Sequence, residues 1–486
     1  MSQQALHPII YVRGFAMRDA EIEDTVNTPY MGFNVGSTRI RQAPDRSFVR
    51  FIFESPLIRL MKEYGYQDVY AGGAEREGSL PRRSIVIHRY YEQDNGEGVR
   101  PSIIDAAREL GNRVLWLRDR ICGDDAQARQ DFKVYLVAHS MGGLVCRCLL
   151  QNPEVASDQA RGCVDKVFTY GTPHNGIEMG GFNVPRFLGL WDISNFNRDN
   201  IAKTLALTQR NGRVDHLDGR FPAERFMSLV GTNHRDYNLA RFAVGDMSDG
   251  LVKIENAYVQ GGPRVYCHLS HSGHFGMVNS EEGYQNLTRF LFGNTRVTGK
   301  LVLDELPMPP SVDKAYRAGD TVEGSYLFEC TVTPRMHPPI ALSDRRTEQG
   351  SAIFRRFDDM FHPAREGLEH ARHPVLFSVF LDTAKIQSGR TMVFVIDLAV
   401  RSTEFKVDGH WFLDRRIPDE NLYRERLVIQ ATRNGDEWTL RYVPSDERWG
   451  ESRGRELGRD AQGAFVPLSS AKGFAARLYL EFAPWH

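Results

Sequence analysis

The chain has 486 residues but only six cysteines, Cys122, Cys146, Cys148, Cys163, Cys267 and Cys330, with no Cys-x-x-Cys pair among them. A disulfide-stapled scaffold is thereby excluded, and free thiols are expected. An excess of one charge is also lacking: 61 basic and 62 acidic side chains leave a formal charge of -1. No global field draws the protein to nucleic acid or to anionic lipid. No apolar run approaches the roughly 18 to 20 residues of a membrane-spanning helix, and the most apolar stretch, Thr391 to Val400, has the length of a strand. A basic region ahead of an apolar core is missing from the first twenty residues, because Ile9 to Val12 is closed at once by Arg13 and Gly14. These absences together lead us to expect a cytoplasmic protein, with export by a signal-less route left open.

What is present is ordinary for a folded protein. With 41% hydrophobic and 25% charged residues the chain can bury a sizeable core. At ~150 residues per domain the length suggests two to three domains. Up to about residue 295, short β-branched runs alternate with longer amphipathic stretches, as in parallel strands joined by crossover helices. The strands read as Pro8 to Arg13, Ser84 to Tyr90, Lys133 to Ala138, Lys166 to Tyr170, Arg225 to Val230 and Arg264 to Leu269. Ile104, Ala107, Leu110, Val114, Leu117 and Ile121 form one helical stripe, and Ser280 ahead of Glu281 and Glu282 reads as a capped helix start.

From residue 296 to 486 the texture changes to alternating strands and tight turns, which predicts an all-β, sandwich-like domain. Leu427, Ile429 and Ala431 alternate with polar residues, Asn434-Gly435 supplies a turn, and Trp438, Leu440 and Tyr442 resume the alternation. Val375 to Ala384 and Met392 to Val400 are expected to pair in the same way across Ser388-Gly389, and the polar connector 337–374 to be a loop or partly mobile.

The chemistry is concentrated in Lys133-Val-Tyr-Leu-Val-Ala-His-Ser-Met-Gly-Gly-Leu-Val, where an apolar strand runs into Ser140 and helical spacing resumes at Leu144. A serine in so sharp a turn needs small neighbours two before and two after, here Ala138 and Gly142. The N–H of Met141, at the start of the new helix, points where an oxyanion would form, and a second donor is expected from Phe15 after Arg13-Gly14. A serine hydroxyl needs an imidazole to take its proton and a carboxylate to orient that imidazole, both from loops further on. Asp249, in Ser248-Asp-Gly-Leu-Val, is the expected acid; His271 and His274 are the candidate bases, with His268 placed inside the preceding strand.

These stretches, with Ile9-Ile-Tyr-Val-Arg-Gly-Phe and Tyr170-Gly-Thr-Pro-His-Asn-Gly, resemble the α/β-hydrolase superfamily, in particular bacterial lipases and the group that includes GPI inositol-deacylase-like proteins. The resemblance covers roughly the first 295 residues and implies an α/β-hydrolase fold with a mostly parallel sheet. In such lipases His-Gly usually stands where this chain has Arg13-Gly14, and glycine where it has Ala138. His274-Phe-Gly-Met-Val-Asn-Ser looks like a stretch found around the base in small lipases, which puts His274 first and His271 second. The resemblance implies a serine hydrolase acting on lipid or acyl esters; that chemistry requires no organic cofactor and no metal, although some related lipases hold a structural calcium.

The insertion Ile177 to Glu224 is dense in apolar residues, among them Phe182, Phe187, Leu190 and Trp191, and reads either as a cap or lid lining an acyl pocket or as a fixed helix packed on the sheet. Peripheral membrane contact through this cap or the β domain stays open. The histidines of the polar stretch, His337, His362, His370 and His373, lack the cysteine or carboxylate spacing of a metal site. An acyltransferase or thioesterase using the same groups, and a non-catalytic binding module on the same fold, are the competing functions.

Overall fold

The computed structural model describes residues 6–14, 37–42, 48–53, 56–71, 74–88, 90, 102–177, 196–235, 245–272, 276–336, 339–361, 372–386, 390–407, 415–435, 437–447 and 453–486. The chain divides into two compact units, one of residues 1–264 with 268–292 and one of 293–486 with 265–267. Among the described residues no helix is long and apolar enough to cross a membrane.

A seven-stranded sheet, all but residues 265–267 of it from the first unit, organises this part of the chain. Its strands are β1 (Ile9–Val12), β2 (Gln67–Asp68), β3 (Ser84–His88), β4 (Val134–His139), β5 (Val164–Tyr170), β6 (Phe226–Gly231) and β7 (Arg264–Cys267), in the order β7-β6-β5-β4-β1-β3-β2. The pairs β1–β3, β1–β4, β2–β3, β4–β5 and β5–β6 all run parallel. Strands of this sheet are apolar on both faces, as parallel strands covered by helices must be: Ile9 to Val12 and Val134 to Ala138 are buried throughout. This is the α/β-hydrolase fold that the motifs imply. His268 lies one residue beyond the end of β7, not within it, where its Nδ1 meets the Thr232 hydroxyl at 3.1 Å.

Helix α1 (Ile103–Cys122) is capped by Ser102, whose hydroxyl accepts from the Asp105 N–H, and buries Ile103, Ala106, Ala107, Leu110, Val114 and Leu117. The buried stripe is therefore turned slightly from the expected one, leaving Ile104 and Ile121 half-buried. Helix α2 (Gly142–Gln151) is buried at every residue. Helix α3 (Glu281–Phe292) starts at Ser280, whose hydroxyl accepts from the Gly283 N–H at 3.0 Å, with both glutamates in its first turn.

The second unit is built from antiparallel sheets. One orders Val375–Leu381, Thr295–Glu305, Ala475–Pro484, Gly463–Ser469 and Gly458–Asp460; another orders Ser343–Arg345, Ser325–Pro334, Thr391–Ser402, Asn421–Asn434, Glu437–Val443 and Arg455–Glu456, with Ile353–Arg356 also on Ser325–Pro334. Phe482 of the first meets Phe394 and Trp438 of the second, at ring separations of 6.2 and 5.4 Å. Asn421–Asn434 and Glu437–Val443 form a hairpin, with Gly435 at φ 65° in the turn.

Two expectations fail here. Val375–Leu381 does not pair with Thr391–Ser402: it joins Thr295–Glu305, while Thr391–Ser402 runs between Ser325–Pro334 and Asn421–Asn434. Val375–Leu381 is followed by a short turn at Thr383–Lys385, capped by the Asp382 carboxylate on the Ala384 N–H; Ser388 and Gly389 lie outside the described residues. The stretch 337–374 is not simply a loop, since it holds Ser343–Arg345, Ile353–Arg356 and the helix Phe357–Phe361. Its charges are used internally: Arg345 Nε donates to the Ser351 carbonyl at 2.9 Å, and Asp344 accepts from Thr331 at 2.6 Å and from Arg346 at 2.8 Å.

His88 at the end of β3 is 3% exposed, and its Nε2 lies 3.0 Å from the Ala106 carbonyl of α1. Burial pushes its imidazole down to about 4. Below about pH 6.5 the unfolded chain takes up a proton that the folded chain refuses, so stability falls progressively towards pH 4, by at most ~3 kcal/mol from this group. His88→Gln, which keeps a donor for Ala106, should lose less thermal stability than the wild type between pH 7 and pH 4.5. Parallel melting-temperature curves would refute the assignment.

Candidate active site

The strand order reverses between β1 and β4, because the chain goes from β1 to the β3 side and then crosses to start β4 on the other. In open α/β sheets a crevice forms at the carboxyl ends of the strands at such a reversal. Gly14 follows β1 there and Ser140 follows β4.

Ser140 sits at φ 53°, in the left-handed region that a serine rarely adopts. Its N–H donates to the Tyr170 carbonyl of β5 at 2.9 Å. Its own carbonyl accepts from the Gly143 N–H at 3.1 Å and from the Thr172 hydroxyl at 2.8 Å. The turn is thus pinned on both sides, and close backbone approach completes it. A Cβ on Gly14 would lie 2.5 Å from Ser140 Cβ and 2.8 Å from the His139 carbonyl; one on Gly142 would strike the Val12 carbonyl and lie 2.8 Å from that of Arg13. The Tyr90 hydroxyl donates to the Arg13 carbonyl at 2.8 Å and so steadies the β1 loop. Met141, buried, is the residue from which α2 starts.

Asp249 is 1% exposed and comes from the loop between β6 and β7. Its Oδ1 accepts from the N–H groups of Leu251 (3.0 Å) and Val252 (2.8 Å), leaving Oδ2 for His271 Nδ1 at 2.8 Å. His271 Nε2 lies 2.9 Å from Ser140 Oγ. With the Nδ1 proton directed to the carboxylate, Nε2 is an acceptor facing the serine hydroxyl; the network assigns this tautomer. The three groups form one hydrogen-bonded chain, with the imidazole and carboxylate buried and the serine partly exposed.

His274, Phe15, Phe182, Phe187, Leu190 and Trp191 lie outside the described residues. The remainder of the apolar insertion, residues 196–224, is packed: Phe196, Ile201, Ala202, Leu205, Val214, Leu217 and Phe221 join the core cluster that includes Leu144, Val145 and Cys148 of α2. Among the described residues no group of three or more His, Cys, Asp or Glu side chains is arranged to hold a metal ion.

The motifs did not single out Arg147. This side chain of α2 is fully buried and donates to the carbonyls of His174 (2.8 Å), Val214 (2.7 Å) and His216 (2.9 Å), and to Gln151 Oε1 (2.8 Å). Burial lowers its guanidinium to about 9, so it is still charged at neutral pH. Asn175 extends the same network, accepting from the Val214 N–H and donating to Asn256. The signal available in the sequence was an arginine set among Leu144, Val145, Cys146, Cys148, Leu149 and Leu150. A charge there is tolerated only when carbonyls meet its donors.

Residues 112–181, from the middle of α1 through Ser140 to the loop after β5, match the family model described as a PGAP1-like alpha/beta domain. No curated protein matches the chain in sequence. Similar solved structures include the phospholipase PlaB from Legionella pneumophila, at 12% identity over 81% of this chain and 85% of that one with a TM-score of 0.35. The lin2722 gene product of Listeria innocua is similar at 12% identity over 59% of this chain and 94% of that one, with a TM-score of 0.27.

Gly142→Ala tests the close approach. Within a helix this exchange ordinarily stabilises by ~1 kcal/mol. Here the new methyl meets backbone that has no room to shift, and the variant should be destabilised by roughly 1 to 3 kcal/mol. A thermal unfolding midpoint at or above that of the wild type would refute the packing argument.

Proposed function

We propose that this protein is a serine hydrolase of carboxylic esters, with lipid or other acyl esters as its substrates. The single observation that carries the reading is the chain from Asp249 Oδ2 through His271 to Ser140 Oγ, at 2.8 and 2.9 Å. His271 Nε2 takes the serine proton as Oγ attacks the ester carbonyl, and the Oγ–C bond forms as the carbonyl π electrons move onto oxygen. Asp249 holds the imidazole and stabilises its cationic form. The oxyanion is received by the Met141 N–H, at the positive end of α2, and by the Phe15 N–H beyond Gly14. Collapse of the intermediate breaks the bond to the alcohol, which leaves with the proton from His271. Water, activated by the same imidazole, then releases the acid. In this reading His271, not His274, is the base.

The apolar substrate preference rests on the insertion 177–224 and on the resemblance to lipases. Phe182, Phe187, Leu190 and Trp191 are its proposed acyl-pocket residues. A pocket of that kind gains roughly 0.8 kcal/mol for each methylene buried, so acyl chain length should register strongly in kcat/KM.

A fluorophosphonate probe should label the wild type and leave Ser140→Ala unlabelled. On p-nitrophenyl esters, Ser140→Ala and His271→Ala should lose roughly 10⁴-fold or more in kcat, and Asp249→Asn about 10⁴-fold. Activity should rise from acetate towards longer acyl chains. Labelling that survives Ser140→Ala, or full turnover by His271→Ala, would end the proposal. Product analysis with an added alcohol separates hydrolysis from acyl transfer.

A further inference from the structure

Ser140 stands at the centre of the sheet, while His271 follows β7 at its edge. The side chain that spans this distance belongs to the residue just before the serine. His139 Nε2 lies 3.0 Å from the main-chain carbonyl oxygen of His271, and the two imidazoles pack with centroids 4.9 Å apart at 43°. On its other side the His271 main-chain N–H donates to the Asp249 carbonyl at 2.9 Å. Both polar groups of the His271 peptide backbone are therefore taken, one by the acid's residue and one by the nucleophile's neighbour.

We propose that His139 is a positioning residue: its Nε2–H clamps the His271 carbonyl and so sets the distance from His271 Nε2 to Ser140 Oγ. This inference rests on the ester-hydrolase reading and deepens it. The acceptor is a carbonyl, so the bond requires the proton on Nε2 of His139. Surrounding protein, with His271 and Arg13 nearby, holds the His139 imidazole well below the usual histidine range, so it is neutral and carries that one proton. A second imidazolium beside the His271 cation formed during turnover would oppose that cation; a neutral donor does not. The geometry also explains why the clamp sits at this position. Ser140 and His139 share a peptide bond, so the link from nucleophile to base runs through a single residue instead of across three strands.

The test compares His139→Leu, which removes the donor, with His139→Gln, whose amide nitrogen can reach the carbonyl. With p-nitrophenyl esters, His139→Leu should lower kcat about tenfold to a hundredfold, by analogy with the loss of a hydrogen-bond partner that orients a metal-ligating imidazole. KM should stay within about twofold, and His139→Gln should recover most of the rate. A structural role alone would lower melting temperature and active fraction in both variants without this split. Should His139→Leu fail to fold, His139→Asn, whose shorter amide falls short of the carbonyl, replaces it. The downfield proton resonance of the His271 Nδ1–H, identified by its loss in His271→Gln, gives a readout without substrate. It should broaden or shift in His139→Leu and return in His139→Gln. Wild-type kcat and an unchanged resonance in His139→Leu, or a His139→Gln as impaired as His139→Leu at equal stability, would overturn the clamp. A wild type that hydrolyses no ester through Ser140 sinks the ester-hydrolase reading instead, and the resonance still decides the role of His139.

Discussion

The left-handed turn at Ser140 is the constraint on which the rest of the first unit depends. Holding a non-glycine residue at φ 53° costs of order 1 to 3 kcal/mol, and a chain left to itself would relax it. The turn survives because its surroundings leave no alternative. Tyr170 and Thr172 bond it from β5 and the following loop, while the backbones of β1 and α2 approach so closely that only hydrogen fits at Gly14 and Gly142. Each of those contacts comes from a different part of the chain, so the local conformation at one residue is determined by the global fold. In return, the turn lifts a hydroxyl above the carboxyl edge of the sheet and starts a helix beneath it.

The helix that begins there must itself be held, and this is the part of the design in which Arg147 acts. It sits midway along α2 and donates to Gln151 and to three carbonyls, one at His174 and two in the segment 214–216. An apolar residue of similar size would pack, but it would take the arginine's donors from the His174 and Val214 carbonyls and leave that of His216 to Gln151 Nε2 alone, and a buried carbonyl left unmet costs roughly 1 to 3 kcal/mol. The arginine therefore replaces several separate backbone pairings that the irregular loops around residues 174 and 214–216 cannot make with each other. It anchors the described end of the apolar insertion to the same helix that carries the serine.

The elements that could be read from sequence are those in which the physics is local. The strand Val134–His139, the small neighbours of Ser140, the Ser280 cap and the Asn434-Gly435 turn each leave a signature within a few residues. The hydrogen-bonded chain was legible in outline, as a serine followed by an acid and then a histidine. The choice between His271 and His274 was not, because the two stand three residues apart in one polar stretch of sequence; the described geometry gives His271 a hydrogen-bonded place, and His274 lies outside the described residues. Strand partners in the second unit were hidden for a similar reason. Val375–Leu381 and Thr391–Ser402 are neighbours in the chain, yet their side chains fit other strands better, and nothing local in either one records that. Charge misled in the stretch 337–374, where arginines and aspartates that look solvated bond to each other and to backbone.

Nucleophile and base are fixed by different balances of packing and hydrogen bonding, and this difference follows from where each leaves the sheet. Ser140 leaves a central strand, where apolar residues on both faces and tight backbone contact determine its position to within an atom's width. Packing of that kind is non-directional and involves no titrating group. His271 leaves a four-residue strand at the sheet edge, where packing alone cannot hold a loop to a fraction of an ångström. Its place is set by hydrogen bonds: Asp249 to its ring and main-chain N–H, and His139 to its carbonyl. Those bonds are directional, so they supply the accuracy that a shape fit cannot, and two of the three come from residues whose own positions are fixed by further backbone bonds. A base held in this way can yield locally, by loss of one bond, without disturbing the core. The centre of the sheet and the hydrogen-bonded loop beyond its edge strand thus divide the work, and the accuracy of the site is limited by that loop.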